Sequence, residues 1–248
     1  MREQPDATPA RLSGPDGRGL CTITLDRPQK ANALDSASVA AIAGCVEEAD
    51  RRNAAVLSLE AAGRSFCAGF DLDGIDNQSE GDLLVRFVRI AILLERVSTA
   101  KAITVANVRG PAFGAGGDLA LACDYRIGGE DSRFRFPGVR FGVALGVRRL
   151  REVAGTDTAT RLGGGHETVG GAEALRLGLL THLADESESA TVLDSIVERW
   201  GPTAPSGRAA FTKLSRQADP DEDLAALVRG CAGIDLAAQL RHYAHGPK

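Results

Sequence analysis

Several common classes of protein are excluded by what this chain has little of. No apolar run approaches the ~20 residues that a bilayer-spanning helix needs, so no membrane association is expected. Basic charge is not in excess: 29 Lys and Arg stand against 33 Asp and Glu, for a net charge of −4. A chain with that balance has no electrostatic footprint for nucleic acid. Lysine is scarce in its own right, with arginine supplying 25 of those 29 cations, a bias we read as compositional. The five cysteines (Cys21, Cys45, Cys67, Cys123 and Cys231) are scattered, odd in number and never in a C-x-x-C pair. Reduced thiols in a cytoplasmic protein are the expectation. The opening residues, Met1-Arg2-Glu3-Gln4-Pro5-Asp6, carry acids and no hydrophobic signal core, which points the same way.

Familiar catalytic signatures are missing as well. The chain has no phosphate loop with a terminal Gly-Lys-[Ser/Thr], no G-x-S-x-G elbow, no H-E-x-x-H, and no cluster with metal-ligand spacing, so no metal is expected. His166, His182, His242 and His245 lie far apart in the sequence, and none has an evident partner.

What is present is an ordinary globular composition. At 248 residues, 44% apolar and 25% charged, the chain is long enough to bury a sizeable core. Residues 1–18 are polar and rich in Pro and Gly, and read as a loose tail. Strand signals then alternate with helical ones. Residues 36–50 place Val39, Ile42, Ala43 and Val46 on one face. Residues 82–97 carry a wider stripe of Leu83, Leu84, Phe87, Val88, Ile90, Ala91, Leu94 and Val97, with Arg86, Arg89 and Arg96 outside it. Such alternation predicts an α/β fold with mostly parallel strands. From residue 186 onward the pattern is helical, interrupted at Pro202 and Pro205.

Two short stretches stand apart. One is Phe66-Cys67-Ala68-Gly69-Phe70-Asp71-Leu72-Asp73; the other is Gly110-Pro111-Ala112-Phe113-Gly114-Ala115-Gly116-Gly117-Asp118-Leu119-Ala120. Each follows an apolar strand-like run (residues 56–59 and 103–108) and breaks into small residues. Turns of this kind expose backbone N–H groups and let a ligand come close to the main chain. Two together suggest a pair of donors converging on one oxygen, an oxyanion hole.

These stretches, with Thr22-Ile23-Thr24-Leu25-Asp26-Arg27-Pro28 through Leu34 before them, Ala122-Cys123-Asp124 after them and Gly171-Ala172-Glu173-Ala174 through Leu180 beyond, resemble the crotonase superfamily, the enoyl-CoA hydratase/isomerase family. The similarity runs in order over roughly residues 20–185. It implies a crotonase-like spiral of ββα units with a C-terminal helical region. The implied organisation is a core at residues 19–200 and a helical oligomerisation region at 201–248, packing against neighbouring subunits in a homotrimer or hexamer. It also implies an acyl-CoA thioester as partner, with coenzyme A as part of the substrate and no further cofactor. By position, the two thioester-polarising N–H groups fall on Phe70 and Ala115. A helix beginning at Ala115 would add its dipole to that oxygen. Ala68, Asp71, Leu72 and Asp73 would line the CoA side, with Lys30 and Ala31 as further contacts, and Gly114 and Gly138 complete the substrate wall. Phe70, bulkier than the alanine often found there, should narrow the acyl pocket. Lys213 is a candidate for a CoA phosphate.

The acids depart from the family pattern. Hydratases that this chain resembles carry a glutamate three residues after the second donor; here that residue is Asp118, about 4.5 Å further along a helix. The second glutamate position falls on Gly138, which cannot move a proton, and the following residues 143–150 look shortened. Arg140 would face the same way as Gly138 if that stretch is extended. Asp124 reads as the end of a helix with no catalytic role. The expectation is therefore an acyl-CoA enzyme that stabilises a thioester enolate without being a two-glutamate hydratase. The alternative is a catalytically impaired acyl-CoA-binding paralogue acting as a subunit or regulator.

Overall fold

A computed structural model of the chain describes residues 8–164, 167–215, 220–232 and 234–245; His166 lies outside them. The strands are β1 (Ala10–Ser13), β2 (Leu20–Leu25), β3 (Val56–Ala61), β4 (Ile103–Val108), β5 (Pro111–Phe113), β6 (Tyr125–Gly128), β7 (Arg133–Arg135), β8 (Val169–Gly170) and β9 (His182–Leu183). The helices are α1 (Ser36–Arg51), α2 (Glu80–Ser98), α3 (Ala115–Leu121), α4 (Val147–Ala154), α5 (Thr156–Gly163), α6 (Gly171–Arg176), α7 (Glu186–Trp200), α8 (Pro205–Ser215), α9 (Pro220–Cys231) and α10 (Leu236–His245).

Period-two burial along the strands divides the core. Cys21, Ile23, Leu25, Leu57, Leu59 and Val108 face Val39, Ile42 and Val46 of α1 and Ile90, Leu94 and Val97 of α2. Val56, Ile103, Val105 and Ile127 point to the other side and meet Leu193, Ile196 and Val197 of α7. The sheet they form has the order β1-β2-β3-β4-β6-β9. Only the β1 edge is antiparallel; the remaining pairings are parallel. A parallel sheet must be covered on both faces because its helical crossovers lie there, and the apolar runs of β3 and β4 meet that demand. A smaller sheet, β5-β7-β8, lies apart from it. Helix starts are fixed locally: Asp35 caps α1, and Ser79 with Asp82 forms a capping box on α2.

Two expectations change. Residues 1–18 are not uniformly loose, because β1 pairs with β2 from Ala10↔Leu25 to Ser13↔Thr22. The C-terminal helices α9 and α10 pack on the rest of the chain. Leu227 and Cys231 of α9 and Leu236 and Leu240 of α10 share an apolar cluster with Leu83, Phe87 and Phe141. Helix α8 leaves two large apolar side chains in solvent, with Phe211 49% and Leu214 82% exposed. Finally, residues 138–141 form a 3-10 turn rather than a strand, closed by Arg140 N–H to Pro137 O and Gly142 N–H to Val139 O. Arg140 is therefore swung out to solvent. No helix among the described residues is long and apolar enough to cross a membrane.

Candidate functional site

Strands β3 and β4 are parallel neighbours, in register from Val56↔Ile103 to Leu59↔Ala106. Their C-terminal ends therefore open at the same edge of the sheet, and both bends emerge there. Main-chain pairing joins the bends: Cys67 N–H donates to Pro111 O, and Phe113 N–H donates to Cys67 O. Gly69 sits at the closest approach with φ +89°. A β-carbon built there would lie 2.4 Å from Phe113 O and 3.2 Å from Ala115 N. Only glycine allows this conformation and this contact together.

The hydrogen-bond pattern fixes where the two key amides point. Leu34 N–H donates to Gly69 O, and Leu34 O accepts from Asp71 N–H. That ladder uses the residues on either side of Phe70 and turns the Phe70 N–H away from Leu34. The Phe70 ring is held by stacking on Phe87 (4.2 Å between centroids, 14° between planes), with the Arg86 guanidinium 4.1 Å from its centroid. Ala115 is the first residue of α3, where an N–H has no acceptor within the helix. The neighbouring donors are engaged, Gly114 N–H with Arg135 O and Asp118 N–H with Gly114 O. Among the described residues, neither the Phe70 nor the Ala115 N–H has an acceptor.

Both amides border one cavity. Of the residues expected to form a site, Ala68, Phe70, Leu72, Gly114, Ala115, Asp118 and Gly138 line it. Lys30, Ala31, Asp71 and Asp73 do not. Lys30 and Asp73 form an exposed ion pair with each other, and the Ala31 carbonyl accepts from Ala68 N–H. Asp71 is buried at 5% exposure and serves the loop, accepting from Arg27 at 3.1 Å and from Asp73 N–H at 2.9 Å. Lys213 and Arg140 are exposed and lie outside the cavity wall. Asp124 holds β4, accepting from Thr104 N–H and Oγ1 at 2.8 and 3.0 Å. Two histidines expected to stand alone have neighbours: His182 Nδ1 is 2.9 Å from Thr181 Oγ1, and His245 is 3.6 Å from Asp76.

Asp118 is the acid of the cavity. It is 6% exposed, and no hydrogen bond reaches its carboxyl group among the described residues. Burial pushes its pKa from 3.8 up to about 7, opposed only by the positive charge of Arg149. That arginine is itself tied to Glu95 at 3.2 Å and Ser98 Oγ at 3.0 Å. Gly146 makes room for the carboxyl group, since a β-carbon there would fall 2.0 Å from Asp118 Oδ1. Gly138, where the resemblance places a second acid, is closed in the opposite sense: a β-carbon there would lie 2.7 Å from Val143 O. Cys67, fully buried with its thiol pushed up to about 12, supplies only backbone.

Sequence reasoning overlooked Arg135 and Tyr243, which also line the cavity. A signal for Arg135 existed. It lies between Phe134 and Phe136, whose side chains are buried, so on a strand it must point to the face they avoid. Tyr243 carried none, because its place depends on α10 folding back over the cavity.

A family model described as enoyl-CoA hydratase/isomerase matches residues 16–236 of the chain. An enoyl-CoA isomerase/hydratase of Mycosarcoma maydis is 31% identical over 215 residues, covering 81% of this chain and 78% of its own. The ethylmalonyl-CoA decarboxylase of Rattus norvegicus is 31% identical over 198 residues, covering 77% of this chain and 65% of its own. Among solved structures, that of a Bordetella parapertussis protein described as an enoyl-CoA hydratase/isomerase matches with a TM-score of 0.93 at 37% identity, covering 97% of this chain and 100% of the other.

Proposed function

This chain belongs to the enoyl-CoA hydratase/isomerase family and has its crotonase fold, and from that premise we propose that it stabilises a thioester enolate and moves protons with Asp118 alone. The observation that carries this reading is one cavity holding two unpaired main-chain N–H groups and one carboxyl group with a pKa of about 7. The thioester oxygen is held by the N–H groups of Phe70 and Ala115. The Asp118 carboxylate takes a proton from the α-carbon, and the C–H electron pair moves into the bond to the thioester carbon while the carbonyl pair moves onto oxygen. The negative oxygen forms where preorganised donors already point, and such a donor is worth about 2.7–4 kcal/mol in the transition state. The protonated Asp118 then returns the proton to the α-carbon, or to the γ-carbon when a double bond is conjugated with the enolate. The first outcome is exchange; the second moves the double bond. A carboxyl group with a pKa near 7 suits both directions. Addition of water needs a second proton-moving side chain, and Gly138 offers none.

The test is to incubate the protein with saturated and 3-enoyl CoA thioesters in deuterated water. Deuterium entering the α-position, abolished in Asp118→Asn with binding retained, is the expected result. Binding without exchange in either protein would favour the alternative, an acyl-CoA-binding paralogue, for which Gly138 is the motivating observation. We also propose self-association through α8, whose Phe211 and Leu214 are exposed; a monomeric sedimentation profile would refute it. A trimer or hexamer is the state proposed.

A further inference from the structure

The arginines of this protein are generally matched. Arg27 meets Asp71 and Asp35, Arg148 meets Asp223, and Arg149 meets Glu95. Arg126, buried, spends its N–H groups on main-chain carbonyls, and Arg208 gives its two Nη groups to main-chain carbonyls while its Nε has no partner. Arg135 is the exception that lines the cavity. It meets no carboxylate within 4.0 Å among the described residues. Its Nε is buried and has no hydrogen-bond partner. Its remaining contacts are weak: the guanidinium lies 4.8 Å from the centre of the Phe113 ring, and one Nη donates to Tyr243 Oη at 3.4 Å.

The position of Arg135 is set by the same backbone that sets the oxyanion donors. Arg135 pairs with Phe113 across β5 and β7, and its carbonyl accepts from Gly114 N–H at 2.7 Å. It therefore stands beside the bend that carries Ala115. Asp118 does not neutralise it; the cation that acts on Asp118 is Arg149. The cavity thus holds a carboxyl group with no hydrogen-bond partner and a guanidinium with no carboxylate, in walls otherwise dominated by Phe, Leu and Val. A half-buried cation without a counter-charge is unfavourable until an anion arrives. A planar fork of N–H donors is matched best by a carboxylate or a phosphate.

We propose that Arg135, with the Tyr243 hydroxyl beside it, determines specificity by receiving a carboxylate carried on the acyl chain, so that the preferred substrates are CoA thioesters of dicarboxylic acids. This rests on the reading of the cavity as an acyl-CoA site. It does not need Asp118 to be active. The other source of the same chemistry is a phosphate of coenzyme A itself. Charged hydrogen bonds of this kind change affinity by about 10- to 100-fold.

The experiment is calorimetric titration of the whole protein with matched pairs of ligands, succinyl- to suberyl-CoA against the monocarboxylic acyl-CoA of equal length, for the wild type, Arg135→Gln and Arg135→Lys. The wild type is expected to prefer at least one dicarboxylic member by about 10-fold or more. Arg135→Gln should erase that preference by weakening dicarboxylic binding far more than monocarboxylic binding, and Arg135→Lys should restore part of it. Equal weakening of both classes by Arg135→Gln, with an unchanged melting temperature, would assign the residue to a CoA phosphate and overturn the proposal. Absence of any preference in the wild type would overturn it too. Deuterium exchange on the same ligands is read separately, so failure of the enolate chemistry with the dicarboxylate preference intact would remove only the mechanism.

Discussion

The main-chain half of the site and its side-chain half have fared differently. On the proposed reading, the donors at Phe70 and Ala115 are placed by strand register and the positive φ of Gly69 and Gly114, so the bulk of the Phe70 side chain does not disturb them. The acids have no such protection. Asp118 stands at one position and Gly138, with no room for a side chain, at the other. An electrostatic device built from backbone tolerates substitution as long as the fold survives, whereas proton transfer depends on one atom at one place. Under the proposed function, the chain would keep the part of the chemistry common to enolate formation and lack the part particular to adding water.

The sharpest way to break the comparison is to remove the remaining acid. Asp118→Asn should reduce α-exchange by about 10²- to 10⁴-fold. It should also raise stability at neutral pH. With its folded pKa raised from 3.8 to about 7, Asp118 leaves stability untouched below about pH 4, where both states are protonated. Between pH 4 and 7 the folded state holds the proton that the unfolded chain has lost, so stability falls; above pH 7 the deficit is constant. The whole gap corresponds to an upper limit on the order of 4 kcal/mol. Denaturant titrations should show the variant's advantage growing from pH 4 to 7 and then levelling. A constant or shrinking advantage would mean that Asp118 is not buried with a raised pKa.

Removing a donor tests the other half. Ala115→Pro deletes one N–H at the first position of a helix, where proline's φ is suited and no intrahelical bond is lost. Exchange should fall about 10²- to 10³-fold with acyl-CoA affinity nearly retained. A smaller loss would show that the Ala115 amide does not hold the oxygen. Gly138→Glu, which restores the residue type of a hydratase, should not restore hydration. Its β-carbon meets the Val143 carbonyl at 2.7 Å, and relieving that overlap should cost about 1–3 kcal/mol of stability. Hydration of a 2-enoyl-CoA by this variant, measured as loss of the conjugated absorbance, would show that the wall adapts.

How much of this was legible beforehand follows the range of the interactions. Helices α1 and α2 show their apolar stripes in sequence, and the two bends announce themselves by residue type. The small strand β1 was hidden because it is four residues long and gains its order from β2. The turn at 138–141 left no mark in the sequence, since nothing local separates a strand from a turn fixed by Val143 N–H bonding back to Gly138 O. Arg135 went unnoticed because its significance is the lack of a carboxylate in three dimensions. The packing of α9 and α10, the latter lining the cavity, depends on contacts with α2, some 130 or more residues earlier in the chain.

The smallest effect on chemistry should come from Phe70→Ala, which alters a donor's side chain and leaves its N–H in place. The ring stacks on Phe87 and neighbours Arg86, so its loss should lower stability by about 1–3 kcal/mol. The amide is positioned by the bonds of Gly69 and Asp71 to Leu34, none of which involves the ring. Exchange on a short acyl-CoA should therefore change only a few-fold, while the widened cavity should improve turnover of a branched acyl chain relative to a straight one. A collapse of exchange on every substrate, in a variant that remains folded by circular dichroism, would mean that the ring and not the strand pairing holds the Phe70 amide in place. The division between tolerant backbone and dependent side chains would then fail at the residue where it should hold best.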